Sequence, residues 1–354
     1  MLKNKPDNTL DYQDRSYLSA VEAAKYLCCD VKHIHNLIKS GHLPFERAAS
    51  GQYRLSLDNL REYKDTIKTI SGSKGKVDRI NVFKINDTTQ KVICSDSRNM
   101  KEIADNSVHL MVTSPPYFNA KMYSGMKETD LGNIHDLDEW FEEIGKTWKE
   151  VFRVLQHGRK AFVNIMNLPI RIKKTFKSLN LTGKTIDLME KIGFMFKRDI
   201  IWHKTNGVKA HFGTYPYPGG ILINNMHEFI LEFHKPDKPG ARKYAHVTDE
   251  QKEASKLDKE FWLSLKNTDV WLMKPQLSGD GREHVAPFPY ELPYRLIKAY
   301  SFMGETVLDP FGGSLITLKV AADLKRNGIA YEINEDIVSR AIKKFESHQE
   351  TLLN

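Results

Sequence analysis

The sequence predicts an α/β protein built on a doubly wound, mostly parallel sheet, with a small winged helical domain in front of it. Three observations lead there. Short apolar runs alternate with helical patterns over the last three-quarters of the chain. The first seventy residues carry a different pattern of short helices and turns. Between the two lies "SGSKGK" (Ser71–Lys76), which reads as a flexible linker.

Composition bounds the rest. The chain has 354 residues, 40% hydrophobic and 28% charged, the profile of a soluble globular protein. No apolar run approaches the ~20 residues of a membrane span. The polar start Met1–Asp7 lacks a signal-peptide apolar segment, so a cytoplasmic location is expected, with no membrane partner. The net charge of +8 is compatible with a polyanionic partner. Cys28, Cys29 and Cys94 provide neither a disulfide framework nor a four-ligand zinc set, and His33, His35 and His42 are read as a polar helix face. No metal is expected.

Residues 1–16 form a polar tail. In "YLSAVEAAKYLCCDVKHIHNLIKSGHLP", Ser19 and Glu22 make a capping box, and Val21, Ala24 and Leu27 give a helical face. Asp30 caps a second helix with the stripe Ile34, Leu37 and Ile38, which Gly41 ends. Leu43–Arg47 and Gln52–Leu55 flank Ala48-Ala49-Ser50-Gly51 as a hairpin or wing, and a third helix runs from Ser56 or Asp58 to Ile70. Over residues 17–66 this pattern resembles the winged helix-turn-helix domains of excisionases and mercury-resistance-type regulators. The domain is placed at 17–70 and the linker at 71–77. The resemblance implies a second helix presenting Lys32, His33, His35, Asn36 and Lys39 to double-stranded DNA, with wing residues Arg47 and Arg54 on phosphates. A helical module that binds protein would read similarly.

From residue 78 to 354 strands are expected at Lys91–Cys94, Val108–Thr113, Lys160–Ile165, Arg198–His203, Glu228–His234, Thr306–Leu308 and Gly328–Tyr331. Helices are expected at Leu137–Leu155 and Thr182–Ile192. Two strand ends carry chemistry. "VTSPPYFN" (Val112–Asn119) follows an apolar strand with two prolines, which lack donors and fix φ, and then an aromatic ring. In "ETVLDPFGGSLITLKVAADLKRNGIAYEIN" (Glu305–Asn334), a strand ends at Asp309, a glycine loop leads into a helix, and a second strand ends at Glu332. Glycines admit close approach of backbone to a ligand, a helix start favours an anion, and a carboxylate about twenty positions on suits a ribose diol. An ordinary βαβ turn would look similar. In open α/β sheets ligands sit beyond the carboxyl ends of strands, so both loops would share one crevice if their strands are neighbours.

Ser114-Pro115-Pro116-Tyr117 after a strand resembles the catalytic motif of DNA amino-methyltransferases, and Asp309-Pro310-Phe311-x-Gly313-Ser314 resembles their S-adenosylmethionine motif. The catalytic motif comes first, the order of the circularly permuted β class. Similarity extends over roughly residues 90–348 and takes in "CSDSRNMKEIADNSVHLMVTSPPY", "FRVLQHGRKAFVNI", "FKRDIIWHK", "HEFILEFHK" and "HVAPFPYELPYRLIKAY". The fold implied is the Rossmann-like methyltransferase sheet, circularly permuted. The implied cofactor is S-adenosylmethionine. The implied cofactor residues are Asp96 at the adenine end, Asp309, Pro310, Phe311, Gly312, Gly313, Ser314, Thr317 toward the methionine carboxylate, and Glu332. Where the family reads Gly-Thr-Thr after Gly-Ser, this chain has Leu315-Ile316-Thr317, a branched side chain at a glycine position that puts cofactor affinity in question.

The resemblance implies methylation of an exocyclic amine of a flipped base. A delocalised amine lone pair is a poor nucleophile, so acceptors aimed at its N–H bonds are needed: the Ser114 oxygen and the Pro115 carbonyl. Tyr117 would stack on the extruded ring. Serine at the first motif position favours N4-cytosine, with N6-adenine as the alternative. No cysteine follows a proline, which disfavours a covalent C5 mechanism. Target reading is expected in about residues 206–283, with Lys204, Lys209, His211, Lys235, Lys238, Arg242 and Lys243 on phosphates and the winged domain sharing the task. A cognate restriction endonuclease is a possible partner. The rival readings are a catalytically dead DNA-binding regulator and an RNA or protein amine methyltransferase with a similar motif.

Overall fold

The computed structural model describes residues 16–27, 31–39, 43–48, 51–63, 79–118, 131–172, 175–205, 219, 223–240, 244–275, 288–340 and 342–343. The chain divides into two compact units, Met1–Lys76 and Val77–Asn354. Among the described residues no helix is long and apolar enough to cross a membrane.

In the first unit, strand β1 (Tyr17–Ser19) leads into α1 (Ala20–Tyr26), and α2 (Val31–Lys39) follows. The Ser19–Glu22 box forms: the Glu22 carboxylate accepts from Ser19 N–H at 2.9 Å, and Ser19 Oγ accepts from Glu22 N–H at 3.3 Å. β2 (Glu46–Arg47) and β3 (Tyr53–Ser56) pair antiparallel as the wing, and β1 adds to β3 as a third strand the sequence did not announce. The helix α3 is described over residues 57–63. Ala23, Ala24, Ile34, Leu37, Ile38 and Leu60 form the core with Leu18 and Leu55. Val21, expected on the buried face, is exposed; Ala23 takes its place. The caps expected from Asp30 and Gly41 lie outside the described residues.

The second unit contains β4 (Ile80–Ile85), β5 (Thr88–Cys94), β6 (Val108–Thr113), α4 (Leu137–Val154), β7 (Leu155–Ile165), β8 (Leu168–Ile172) and β9 (Thr175–Leu179). It continues with α5 (Leu181–Ile192), β10 (Met195–Lys204), β11 (His227–His234), α6 (Asp249–Ala254), α7 (Lys259–Lys266) and β12 (Val270–Met273). Last come α8 (Glu291–Tyr300), β13 (Thr306–Asp309), α9 (Ile316–Asp323) and β14 (Asn327–Glu332). The main sheet has the order β12-β10-β11-β7-β6-β13-β14-β5-β4, and β8 and β9 form a separate hairpin. Its centre is parallel, from β7 through β6, β13 and β14 to β5. Antiparallel pairs flank that centre at β11 with β7, β10 with β11, and β4 with β5, while β12 pairs parallel with β10.

Strand β6 explains why the centre is parallel. Leu110 and Val112 enter one hydrophobic cluster with α8, and Val108 and Met111 enter the other with α4. A strand buried on both faces reads as a continuous apolar run, as Val108–Thr113 does. Helix α4 starts where the Asp136 side chain accepts from the Asp138 and Glu139 N–H groups. It buries Trp140, Ile144, Trp148 and Val151 on one face, each large side chain worth about 2–3 kcal/mol on burial. Helix α5 is capped by Asn180 and ends at Gly193, whose φ of 120° no side-chain-bearing residue adopts readily.

Candidate active site

The carboxyl ends of β5, β14, β13 and β6 follow one another along one edge of the sheet, because all four strands run parallel. The segments leaving those ends carry Asp96, Glu332, the glycine loop and Ser114. Strands β6 and β13 are direct neighbours in the register Leu110↔Val307 and Met111↔Leu308. Beyond the last paired residues, Thr113 Oγ1 donates to Asp309 Oδ1 at 2.7 Å. The two motif loops therefore start side by side.

Asp309 is fully interior. Its carboxylate also accepts from Thr317 Oγ1 at 2.6 Å and from Phe311 N–H at 3.0 Å. Burial pushes its pKa up, against these three hydrogen bonds. The Asp309 and Thr317 side chains bond to each other and brace the loop. Beyond Asp309, Pro310 is buried, Phe311 meets Trp148 of α4 edge-on at 5.9 Å, and Ser314 is exposed. Gly312 N–H donates to the Tyr331 carbonyl at 2.7 Å, and Gly313, at φ 47°, donates to Glu332 Oε2 at 3.0 Å. Glu332 Oε1 accepts from Asn334 N–H at 2.8 Å, so one carboxylate ties both strand ends of the unit together.

Leu315 occupies the family's glycine position at φ 60°, a left-handed conformation that costs a non-glycine residue about 1–2 kcal/mol. Its side chain is buried with Ile85, Val92, Leu318, Ala322, Ala330 and Val338. The branched side chain turns into the interior, where its Cδ2 lies under Gly312 of the loop. Asp96 lies at the end of β5 as placed, but its carboxylate is engaged by Arg98, whose Nη2 lies 2.6 Å from Oδ2; Arg98 also pairs with Glu143 of α4.

In the other loop, Pro115 is buried and Ser114, Pro116 and Tyr117 are half-buried. Two residues that sequence reasoning missed, Glu228 and Asn164, gather beside it together with Lys204. Glu228 of β11, buried, accepts from Tyr117 Oη at 2.6 Å and Asn164 Nδ2 at 2.6 Å through Oε2. Its Oε1 lies 2.6 Å from Lys204 Nζ. Asn164 Nδ2 also stands 3.5 Å from Ser114 Oγ. The available signal was Glu228 at the head of the apolar run Phe229-Ile230-Leu231 and an asparagine inside "AFVNI".

Among the expected DNA contacts, Lys235 is placed elsewhere. Lys235 is buried, and its Nζ donates to Asn106 Oδ1, the Phe152 carbonyl and the Leu155 carbonyl, where it serves the end of α4. Lys204 is paired with Glu228. Lys209, His211, Arg242 and Lys243 lie outside the described residues, as do the side chains of Lys32, His33 and Asn36. Lys39 is exposed, and His35 packs against Tyr53 at 5.5 Å. Arg54 lies 4.4 Å over the Tyr17 ring and Arg47 5.3 Å over Tyr53, both exposed on the wing.

Among the described residues one group could offer metal ligands: His109, His246 and Glu305. It lies by the amino ends of β6 and β13, away from the motif loops. The Arg159 guanidinium pairs with Glu305, and His109 Nδ1 accepts from Thr306 N–H at 3.1 Å, leaving the ring proton on Nε2. A guanidinium is already seated on the buried Glu305 carboxylate, with half-buried His109 and exposed His246 beside it.

A mixed α/β sheet with a parallel centre, bearing a glycine loop and a Ser-Pro-Pro-Tyr loop side by side, defines a methyltransferase-type sheet. Within that class the chain belongs to the DNA methylase family, whose model matches residues 108–344, and a helix-turn-helix domain model matches residues 17–66. The type II methyltransferase M.MjaI of Methanocaldococcus jannaschii is 33% identical over 280 residues, 71% of this chain and 89% of the relative. M.MthZI of Methanothermobacter thermautotrophicus is 32% identical over 269 residues, 70% of this chain and 74% of the relative. A candidate DNA modification methylase of Thermus thermophilus, solved with S-adenosyl-L-methionine, superposes with a TM-score of 0.57 at 31% identity, covering 73% of this chain and 93% of that one. The cytosine-N4-specific PvuII DNA methyltransferase shares the fold, with a TM-score of 0.53 at 20% identity over 72% of this chain and 85% of that one.

Proposed function

We propose that the protein transfers a methyl group from S-adenosylmethionine to the exocyclic N4 of a cytosine flipped out of double-stranded DNA. The observation that carries this is the Thr113–Asp309 bond, which sets the Ser-Pro-Pro-Tyr loop beside the glycine loop. The residues present suit the cofactor. Glu332 ends β14 half-exposed, where a carboxylate can accept ribose hydroxyls, and the Leu315 side chain is buried in the apolar cluster beneath the loop. Gly312, Gly313 and Ser314 would hold the amino-acid end. When bound, S-adenosylmethionine supplies an electrophilic sulfonium methyl.

The chain's own residues do the rest. Ser114 Oγ and the Pro115 carbonyl accept the two amine N–H bonds, which lets the nitrogen pyramidalise in line with the methyl. Proline at 115 and 116 fixes the direction of the carbonyls and adds no donor. Tyr117 stacks on the extruded base, worth about 1–3 kcal/mol, against the few kcal/mol that unstacking costs. The proton passes to solvent water once the nitrogen is cationic, since a serine is too weak a base to take it earlier.

The serine at position 114 supports cytosine over adenine. The order of the motifs, with β6 before β13 in the chain, supports membership of the circularly permuted β class. The type II relatives support pairing with a restriction endonuclease of the same specificity. The N-terminal unit would add DNA contacts, with Arg47 and Arg54 on phosphates; removal of residues 1–76 should then weaken or relax target choice.

The test is incubation of the full chain with labelled S-adenosylmethionine and mixed-sequence duplex, followed by nucleoside mass spectrometry. N4-methylcytosine is expected. N6-methyladenine would transfer the reading to adenine. Tight cofactor-free DNA binding with no methylated base would leave a DNA-binding regulator.

A further inference from the structure

We propose that Glu228 is a positioning residue of the target-base site, with one buried carboxylate holding the Tyr117 ring, the Asn164 amide and Lys204 in a single arrangement around Ser114. The inference rests on the reading that Ser114 and Tyr117 receive the base.

A carboxylate buried inside a sheet is costly unless donors surround it. Glu228 has three, drawn from three different segments: the loop after β6, strand β7 and strand β10. The backbone fixes them. Ile230 of β11 faces Asn164 of β7, and Glu228 itself faces Trp202 of β10, two residues from Lys204. Lys204 supplies the balancing charge, without which a lone carboxylate would repel DNA phosphates.

The carboxylate also settles which way Asn164 points. An ionised carboxylate only accepts, so the amide must turn its NH2 toward Glu228. That same nitrogen is the atom 3.5 Å from Ser114 Oγ. The amide oxygen, buried, has no hydrogen-bond partner among the described residues, so the amide is not held from its other side. Without Glu228 the amide is free to flip and would present a second acceptor to the serine. With Glu228 in place, Ser114 Oγ faces a donor on one side, its own proton is turned elsewhere, and a lone pair is left for an amine N–H. Tyr117 is fixed in the same way, because its hydroxyl is tied down at 2.6 Å and the ring can swing only if that bond breaks.

The experiment compares wild type, Glu228→Gln, Tyr117→Phe and the double variant as full chains, after the methylated site has been mapped. Calorimetry measures S-adenosylmethionine binding. Steady-state kinetics separate kcat from KM for duplex, and a duplex with pyrrolocytosine at the target position reports base stacking by fluorescence. Glu228→Gln is expected to bind the cofactor within twofold of wild type, lose at least about tenfold in kcat and leave the extruded base brighter, because the ring is no longer held against it. Tyr117→Phe keeps the ring and loses the tether, so it should brighten the base while losing less activity. The double variant should be no worse than Glu228→Gln alone, since both act through one bond. Wild-type kcat in Glu228→Gln, or effects of the two changes that multiply, would overturn the proposal. If Glu228→Gln fails to fold, unchanged fluorescence and kcat in Tyr117→Phe overturn it on their own. A wild type that binds S-adenosylmethionine and methylates no base removes this inference together with the reading beneath it, whereas an active wild type beside an equally active Glu228→Gln removes this one alone.

Discussion

Thr113 and Asp309 stand 196 positions apart in the chain and share a hydrogen bond of 2.7 Å. Thr317 completes the arrangement from the other side at 2.6 Å, so a single carboxylate joins the end of β6, the end of β13 and the first turn of α9. Hydrogen bonds to a charged group contribute about 1.5–3 kcal/mol each. Thr113→Val and Thr317→Val are each expected to lower stability by about 2 kcal/mol in urea denaturation. Both should weaken S-adenosylmethionine binding, because the loop loses its anchor. If either variant kept wild-type stability and affinity, Asp309 would not be bracing the site.

Gly312 has no room for a side chain. A Cβ there would sit 2.9 Å from the Ala330 Cβ and 3.3 Å from the Tyr331 carbonyl oxygen, neither of which can swing aside. Gly312→Ala should force the loop off β14, with a cost of about 1–3 kcal/mol. Calorimetry should show cofactor affinity falling at least tenfold. An alanine variant with wild-type affinity would mean that the loop's contact with β14 does not shape the site.

Leu315 sets two effects against each other. Glycine at 315 would relieve a left-handed residue, worth about 1–2 kcal/mol. It would also empty a site lined by Val92, Leu318 and Ala330, and loss of a buried leucine costs about 2–5 kcal/mol. Leu315→Gly is therefore expected to be less stable than wild type while binding S-adenosylmethionine within about twofold. A marked gain in affinity would show that the leucine does crowd the ligand.

His109 makes stability depend on pH. Burial, then Arg159, then His246 push its imidazole from the ordinary value of 6.5 down to about 3. The unfolded chain takes up this proton first, so stability falls as pH drops from about 6.5 toward 3. At pH 5 the loss is about 2 kcal/mol relative to pH 8. His246 shifts in the same direction but is more exposed and contributes less. His109→Asn keeps an acceptor for Thr306 N–H and should flatten this part of the profile. Urea midpoints at pH 5 and pH 8 that change by the same amount in both proteins would assign the pH dependence elsewhere.

The parts of the fold that were legible in the sequence share a physical cause. All seven anticipated strands lie within β5, β6, β7, β10, β11, β13 and β14, and the two anticipated helices are α4 and α5. These elements are buried on one or both faces, so apolar periodicity marks them. Edge strand β4, with exposed Ile80 and Val82, edge strand β12 and the β8–β9 hairpin carry mixed patterns and went unannounced. The two loops were legible because prolines and glycines constrain backbone locally. The partners of Glu228 were not, because they meet across strands 24 to 111 positions apart, as Glu228 with Lys204 and with Tyr117. Lys235 was misjudged for the same reason: a lysine in sequence looks solvated until the carbonyls of Phe152 and Leu155 are seen to surround it.

The order of the central strands bears on how the chain can be made. Strands β5 and β6 are synthesised early, yet they never touch, because β13 and β14 from the far end of the chain are wedged between them. A nascent polypeptide that has emerged only as far as residue 300 holds two unsealed halves of a sheet, each with a raw apolar margin. Closure waits for β13 and β14, a high-contact-order step that exposes those margins to aggregation until it is complete. A ribosome that stalls before β13 has emerged would leave behind a body with no keystone.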